Sequence, residues 1–463
     1  MLLRYLKKIF YNSVAELRLY LLPILCFVLA SCNDDDEPVI NLSQQDFTDI
    51  PYDGATIQVD VNSASKWYAE SVDAPWITIP DAGKVGETTL DIMIEGNLAE
   101  ESRTGQVKLT AGGEVQMLTF TQNGKPVGEE LTYRIPIVFH VLYNDPSDDT
   151  QNIPAENIYE ILNFANQAYA QNGIKLEFVP AITDPSGNVL KEAGVDRVNW
   201  VSPTIDPTLV MEISGREYIH LLWDPNQYVN ILLYNFTYQN ILGISTFPLV
   251  PKSHPLPGME TVEDMNITLE NLNHMRCVSL NSSWILGSAR DPLAGYIDPQ
   301  LLARQTYSGV TLAHELGHYF GLRHVFAESP NGACIDTDYC EDTPSYDKSN
   351  DYDLYVQYIW QEEQFNPNFP NEFNWKDVFM RTPCAGGEQF ESHNLMDYSY
   401  GFMDEFTADQ RKRMRHVLDY SPLIPGPKQT RSCLSRSVKG LIDLPHEIAI
   451  CGLDGTYSRK IKD

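Results

Sequence analysis

Positive charge is scarce in this 463-residue chain. Lys and Arg number 33 against 63 Asp and Glu, a formal net charge of −30. Nucleic acid or an anionic membrane surface, as main partner, would need clustered basic side chains, so this balance argues against both. Long apolar runs are missing as well. Leu19 to Leu29 has the length of a signal-peptide core and is too short to span a bilayer comfortably. No internal repeat or low-complexity tract is visible, which removes solenoid arrays. Cysteine is sparse: eight residues, and those beyond Cys32 (Cys277, Cys334, Cys340, Cys384, Cys433 and Cys451) all lie in the second half, where an exported protein can oxidise them. Spacing alone does not fix their pairing. What remains is 43% hydrophobic and 21% charged, ordinary for a globular chain. The length implies two folded units plus appendages.

The first 32 residues read as a targeting segment, with Arg4, Lys7, Lys8 and Arg18 ahead of the apolar run. The run ends in Leu29-Ala30-Ser31-Cys32, which resembles a bacterial lipobox, where the Cys becomes the lipidated first residue. The acidic run that follows, within 33–38, resembles the export signal of surface-exposed lipoproteins; as charge alone it is a solvated linker. Together they imply a lipid-anchored protein at the bacterial outer membrane, facing outward.

Residues 39–124 read as an all-β module. Segments 55–61, 88–94, 105–111 and 115–122 alternate apolar and polar residues, turns rich in Gly and Asp separate them, and 76–79 is a further candidate strand. This is the pattern of a small Ig-like sandwich. Ala74-Pro75-Trp76-Ile77, Arg103-Thr104-Gly105 and Phe120-Thr121-Gln122-Asn123 resemble a BACON domain. That resemblance brings glycan or mucin as a partner, through stacking on Trp67, Tyr68 or Trp76; the plainer role for aromatics in strands is packing, and for the module a spacer.

Residues 125–130 are a linker. Beyond it, residues 131–433 have a mixed α/β order: strand 133–143, a helix from Pro154 with Ile158, Ile161, Leu162, Ala165 and Ala168 at helical spacing, strands at 174–180 and 228–236, and a continuation towards 241–248. Residues 434–463 are set apart as a C-terminal extension.

His314-Glu315-Leu316-Gly317-His318-Tyr319-Phe320-Gly321-Leu322-Arg323-His324 carries the chemistry. His314 and His318 are one helical turn apart, so both imidazoles can reach one metal. Gly321 lets the chain turn and bring His324 back. Three protein ligands suit zinc with its fourth position left for water, and Glu315, next to the first ligand, is the candidate base. A structural zinc would want a fourth protein ligand instead.

The full pattern resembles the metzincins, whose second signature is a Met-turn. Ser392 to Ser399 fits it, with Met396 as the floor of the site and Tyr398 near the metal, able to donate to a developing oxyanion. His393 reads as a surface or packing residue. Within the metzincins the chain resembles the pappalysin family. The matches are the Asn-x-Met-Asp-Tyr turn, Leu242-Gly243 to Phe247-Pro248, Asp342-Thr343-Pro344, and Phe406-Thr407-x-x-Gln410, where Thr407 and Gln410 also form a capping box. The resemblance covers about residues 131 to 420. It implies His314, His318 and His324 as zinc ligands, Glu315 as general base, Tyr398 as transition-state donor, calcium at the cluster Asp336, Asp338, Glu341 and Asp342, and a Cys334–Cys384 disulfide. Oxygen ligands suit calcium, although the loop is no EF-hand; the alternative is a merely acidic loop. Cys340 is left unassigned, and proximity pairs Cys433 with Cys451. The insertion 347–374 is a candidate wall of the cleft. Past the Met-turn, Tyr400, Gly401 and Phe402 suggest an apolar P1′ pocket, with Asp404 and Glu405 further along.

The resulting expectation is a β-sandwich followed by a mixed α/β metzincin domain: a zinc endopeptidase acting on extracellular proteins or peptides. The alternative is a non-catalytic adhesin or glycan-binding lipoprotein, against which an intact Glu315 weighs.

Overall fold

The computed structural model describes residues 40–79, 85–213, 215–286, 307–328, 333–348, 361–362, 364–368, 379–398, 401–428, 439–452 and 459–461. The targeting segment with Cys32, the acidic run, Tyr400, Cys433 and about two thirds of the 347–374 insertion lie outside them.

Eight strands form the first unit: β1 (Ile40–Leu42), β2 (Asp46–Ile50), β3 (Ala55–Ser63), β4 (Trp67–Val72), β5 (Ile77–Thr78), β6 (Gly86–Ile94), β7 (Arg103–Ala111) and β8 (Glu114–Gln122). They make two four-stranded sheets, β1-β3-β6-β5 and β2-β8-β7-β4. The alternation seen in the sequence is the alternation of burial: Val59, Val61, Leu90, Ile92, Val107, Leu109, Leu118 and Phe120 meet in one core. Strand β4 was not read from the sequence, and it settles the aromatics. Trp67 is in the core, Tyr68 is exposed, and Trp76 is half-buried beneath the Arg103 guanidinium, 4.1 Å from its ring centre. A Cβ at Gly105 would meet Trp76, Ala74 and Ile77 within 2.8 Å, and Gly105 pairs with Phe120 across β7 and β8, so the three matched stretches meet here.

In the second unit, β9 (Tyr133–Tyr143), β10 (Leu176–Pro180), β11 (Val195–Asn199), β12 (Val229–Tyr234), β13 (Ile241–Thr246), β14 (Val278–Asn281), β15 (His446–Gly452) and β16 (Arg459–Ile461) form one sheet. Its order is β10-β9-β12-β14-β13-β15-β16, with β11 also paired to β9. Strands β9 to β12 and β14 are parallel; β13 runs antiparallel to β14, and β15 antiparallel to β13. Central strands β9 and β12 are apolar almost throughout, as burial on both faces requires.

One face carries helices α1 (Ala155–Gln171) and α2 (Ser308–Tyr319). Helix α1 buries Ile158, Ile161, Leu162, Ala165, Ala168 and Tyr169, and the Tyr169 hydroxyl donates to the Ala313 carbonyl of α2 at 3.2 Å. Helix α3 (Ala408–Tyr420) begins with a capping box in which Thr407 and Gln410 satisfy each other's backbone amides. The opposite face of the sheet has its own core, which includes Leu232, Tyr234, Ile244, Ile448 and Ile450. The described part of the 434–463 segment is therefore no appendage: its strand β15 is integral to this sheet, all seven residues buried.

Candidate metal centre and active site

Helix α2 presents His314, Glu315 and His318 beneath β13, all buried. It ends at a turn where the Gly321 amide donates to the His318 carbonyl and the Leu322 amide to the Gly317 carbonyl. Gly321 has φ +89°, in the region that favours glycine, and the turn returns His324 to the first two histidines. The three Nε2 atoms converge, 3.1–3.2 Å apart.

Each imidazole is oriented by its other nitrogen. Nδ1 of His314 donates to the Leu395 carbonyl at 2.6 Å, that of His318 to the Leu322 carbonyl at 2.8 Å, and that of His324 to the Glu328 carboxylate at 2.8 Å. This tautomer leaves every Nε2 lone pair facing the common centre. Burial lowers all three pKa values, that of His314 to about 4, which keeps the rings neutral. Glu328 was not found in the sequence; its only signal was a carboxylate four residues beyond the third histidine.

Two glycines of the motifs turn out to be spacing requirements. A Cβ on Gly317 would stand 2.4 Å from the Met396 sulfur, so the Met-turn closes directly under α2. A Cβ on Gly243 of β13 would stand 2.6 Å from Glu315 Oε1, so the strand lies against the carboxylate. The Glu315 oxygens take no N–H or O–H donor, and burial pushes its carboxyl up to about 8, against a smaller opposing effect of the Cys451 thiol.

The turn is fixed from below. Asn394 exchanges side-chain hydrogen bonds of 3.0 Å with Gln410 and accepts the Met396 amide at 2.8 Å, which ties the Met-turn to the α3 capping box. The buried Asp397 carboxylate accepts from Ser392, Tyr346 and Arg381, the last at 3.2 Å. Tyr398 is thereby held with its ring 4.5 Å from that of His324, and its hydroxyl donates to the Ile450 carbonyl of β15 at 3.1 Å. His393 stacks on Phe402 and pairs with Asp404 at 2.9 Å, at the surface. Asp404 is thus engaged with His393, and Phe402 also packs on Phe379.

Cys334 and Cys384 form a disulfide. In the acidic loop Asp336 and Asp338 lie side by side. Asp336 accepts the amides of Asp338 and Tyr339, Asp338 accepts the Cys340 amide and the Thr343 hydroxyl, Asp342 accepts the Asp409 amide, and Glu341 is exposed. Among the described residues the cluster that can hold a metal is His314, His318, His324 and Cys451. One expectation is corrected here: Cys451 is a free thiol beside the three histidines, not a disulfide partner of Cys433. Its Sγ lies 3.4, 3.5 and 3.6 Å from the three Nε2 atoms, which places a fourth donor at the cluster.

These distances test the fit. Bonds of about 2.0–2.1 Å to nitrogen and about 2.3 Å to sulfur, at a tetrahedral angle, give edges of about 3.3 Å between nitrogens and about 3.6 Å from nitrogen to sulfur. The observed edges match, so the donor set fits zinc.

Comparison with known proteins agrees. Residues 295–419 match the model of a peptidase family described as pregnancy-associated plasma protein-A, the pappalysins. Over this stretch the second unit is similar to a pappalysin-type peptidase. Residues 65–123 match the BACON model, described as an N-terminal binding domain. Extracellular metalloproteases of Arthroderma otae and Arthroderma benhamiae are each 25% identical to the chain, over 64% and 60% of it and 82% and 75% of their own lengths. A structure of mirolysin in complex with a compound is 24% identical over 62% of the chain and 92% of its own, with a TM-score of 0.39. Over these residues the second unit is thus similar to pappalysin-type metallopeptidases, and the sandwich of the first unit is similar to a BACON domain.

Proposed function

We propose that this chain is a zinc-dependent endopeptidase that hydrolyses extracellular proteins or peptides. The observation that carries it is the convergence of three neutral imidazoles on one point with a buried glutamate alongside. His314, His318 and His324 would hold the ion, which supplies Lewis-acid activation of a carbonyl and of a water. Glu315, beside the first ligand, takes the proton of the attacking water and later delivers it to the leaving amine. Its raised pKa fits that two-way role, because a base near neutrality gives up the proton as readily as it takes it. Tyr398 donates to the oxygen that becomes negative in the tetrahedral intermediate. Its hydroxyl already has a peptide carbonyl as acceptor, the kind of partner this role needs.

The chain is anchored by lipid on Cys32 at the outer membrane, faces outward by virtue of its acidic run, and uses the BACON domain as a spacer; the burial of Trp67 supports a packing role for that aromatic. Protease shaving of intact cells tests the outward orientation: shielded protein would contradict it. For the chemistry, Glu315→Ala should keep the metal, since no ligand is lost, and abolish peptide cleavage. Cleavage at the parental rate would show that the base lies elsewhere.

A further inference from the structure

Strand β15 lies along the edge of β13 that borders the histidine helix, with Cys451 opposite Gly243 and Ile450 opposite Ile244. An extended peptide adds to a free strand edge through the same antiparallel ladder. The glycine opposite Cys451 is the one whose missing Cβ admits the Glu315 carboxylate, so whatever residue pairs there sits over the catalytic group. Period-two alternation then sends Ala449 and Cys451 to the helix face and Ile448 and Ile450 to the opposite core.

We propose that residues 446–452 hold this protease latent, the strand standing in the substrate's position and Cys451 acting as the fourth ligand of the metal. It rests on the histidine cluster being the catalytic metal site. Three independent contacts support it. The thiol completes a tetrahedron with the three Nε2 atoms. The Ile450 carbonyl occupies the Tyr398 hydroxyl, the donor reserved for the reacting carbonyl. The Glu315 carboxylate, fully buried and without an N–H or O–H donor, faces that same thiol. A hydrolytic site keeps one position open, whereas a closed set of four protein ligands is inert. A purely structural zinc would give no reason for a buried glutamate and a tyrosine hydroxyl to converge on the strand. Glu447 fastens the strand by an ion pair of 2.7 Å to Arg323, the residue just before the third ligand. Strand release therefore frees the fourth position, the tyrosine and the sheet edge in one movement.

The test uses the full mature chain with cobalt(II) replacing the native metal. The parent should bind about one cobalt per chain and show thiolate-to-cobalt charge-transfer absorption in the near ultraviolet. Cys451→Ser should bind as much cobalt without that band, whereas Cys277→Ser, which alters a buried thiol in the opposite core, should keep it. With zinc, Cys451→Ser should cleave a peptide library faster than the parent, by about tenfold or more. Should serine disturb folding, Cys451→Ala gives both readouts. A parent that binds no metal would remove the metalloprotease reading itself. Cobalt bound without the thiolate band, or a Cys451 variant no faster than the parent, would overturn the latency alone.

Discussion

Replacing Glu328 by Ala should weaken metal binding without touching a ligand. The carboxylate accepts the Nδ1–H of His324 at 2.8 Å, with the imidazole fully buried and the carboxylate nearly so. Because burial keeps His324 neutral, the contact is a charge-assisted hydrogen bond that selects a tautomer and a ring orientation. Without it the proton can sit on either nitrogen, and the ring loses its fixed aim at the common centre. Loss of such a partner costs about 10–100-fold in metal affinity, equivalent to about 1.4–2.7 kcal/mol. Competition against a chromophoric chelator measures it directly. Glu328→Gln keeps an acceptor oxygen but loses the charge, and should fall between Ala and the parent. An Ala variant within about twofold of the parent would refute the orienting role, since even the low end of the range is tenfold.

Two further outcomes follow from the packing. Gly243→Ala, tested in the Cys451→Ser chain, brings a methyl to 2.6 Å from Glu315 Oε1; the carboxylate can yield, so thermal stability should change little while kcat falls by about 100-fold, the effect of displacing a catalytic group by about 1 Å. His446 on β15 is pushed down to about 3 by burial, with Arg276 and His274 alongside. The unfolded chain, near the usual 6.5, binds that proton first, so stability is present above pH 6.5 and is lost as pH falls towards 3. Between about pH 7 and pH 5 denaturant titration should register a loss of about 2 kcal/mol that His446→Gln removes, and an unchanged pH slope in the variant would rule this histidine out.

The sequence was most legible where chemistry or burial repeats over short distances. The histidine motif needs one turn of helix and one glycine, and α1 and the long sandwich strands show their periodicity openly. Strand β4, with Glu70 and Ser71 between its apolar residues, does not. Long-range partners were out of reach. Nothing near Cys451 says that its strand pairs with residues more than 200 positions earlier, so sequence proximity suggested Cys433 instead. The same gap hid the thiol that stands beside the three histidines. Gly243 was recognised as part of a match and Gly317 only as a residue within the histidine motif; the reasons for both, a carboxylate and a sulfur pressed against the backbone, are tertiary. In the acidic loop the partners of Asp336, Asp338 and Asp342, mostly nearby backbone amides, were equally invisible in the sequence.

A sheet edge left bare is a template for other chains, and proteins commonly close it with a short or charged strand. Here the run ends in β16, three residues that include Arg459 and Lys460, placed beyond β15. Departure of β15 would expose the backbone amides and carbonyls of β13 to any extended segment, substrate or neighbour alike. Under the latency proposed above, the released form should accordingly be more prone to self-association than the resting form, and the proposed lipid anchor would keep such edges apart.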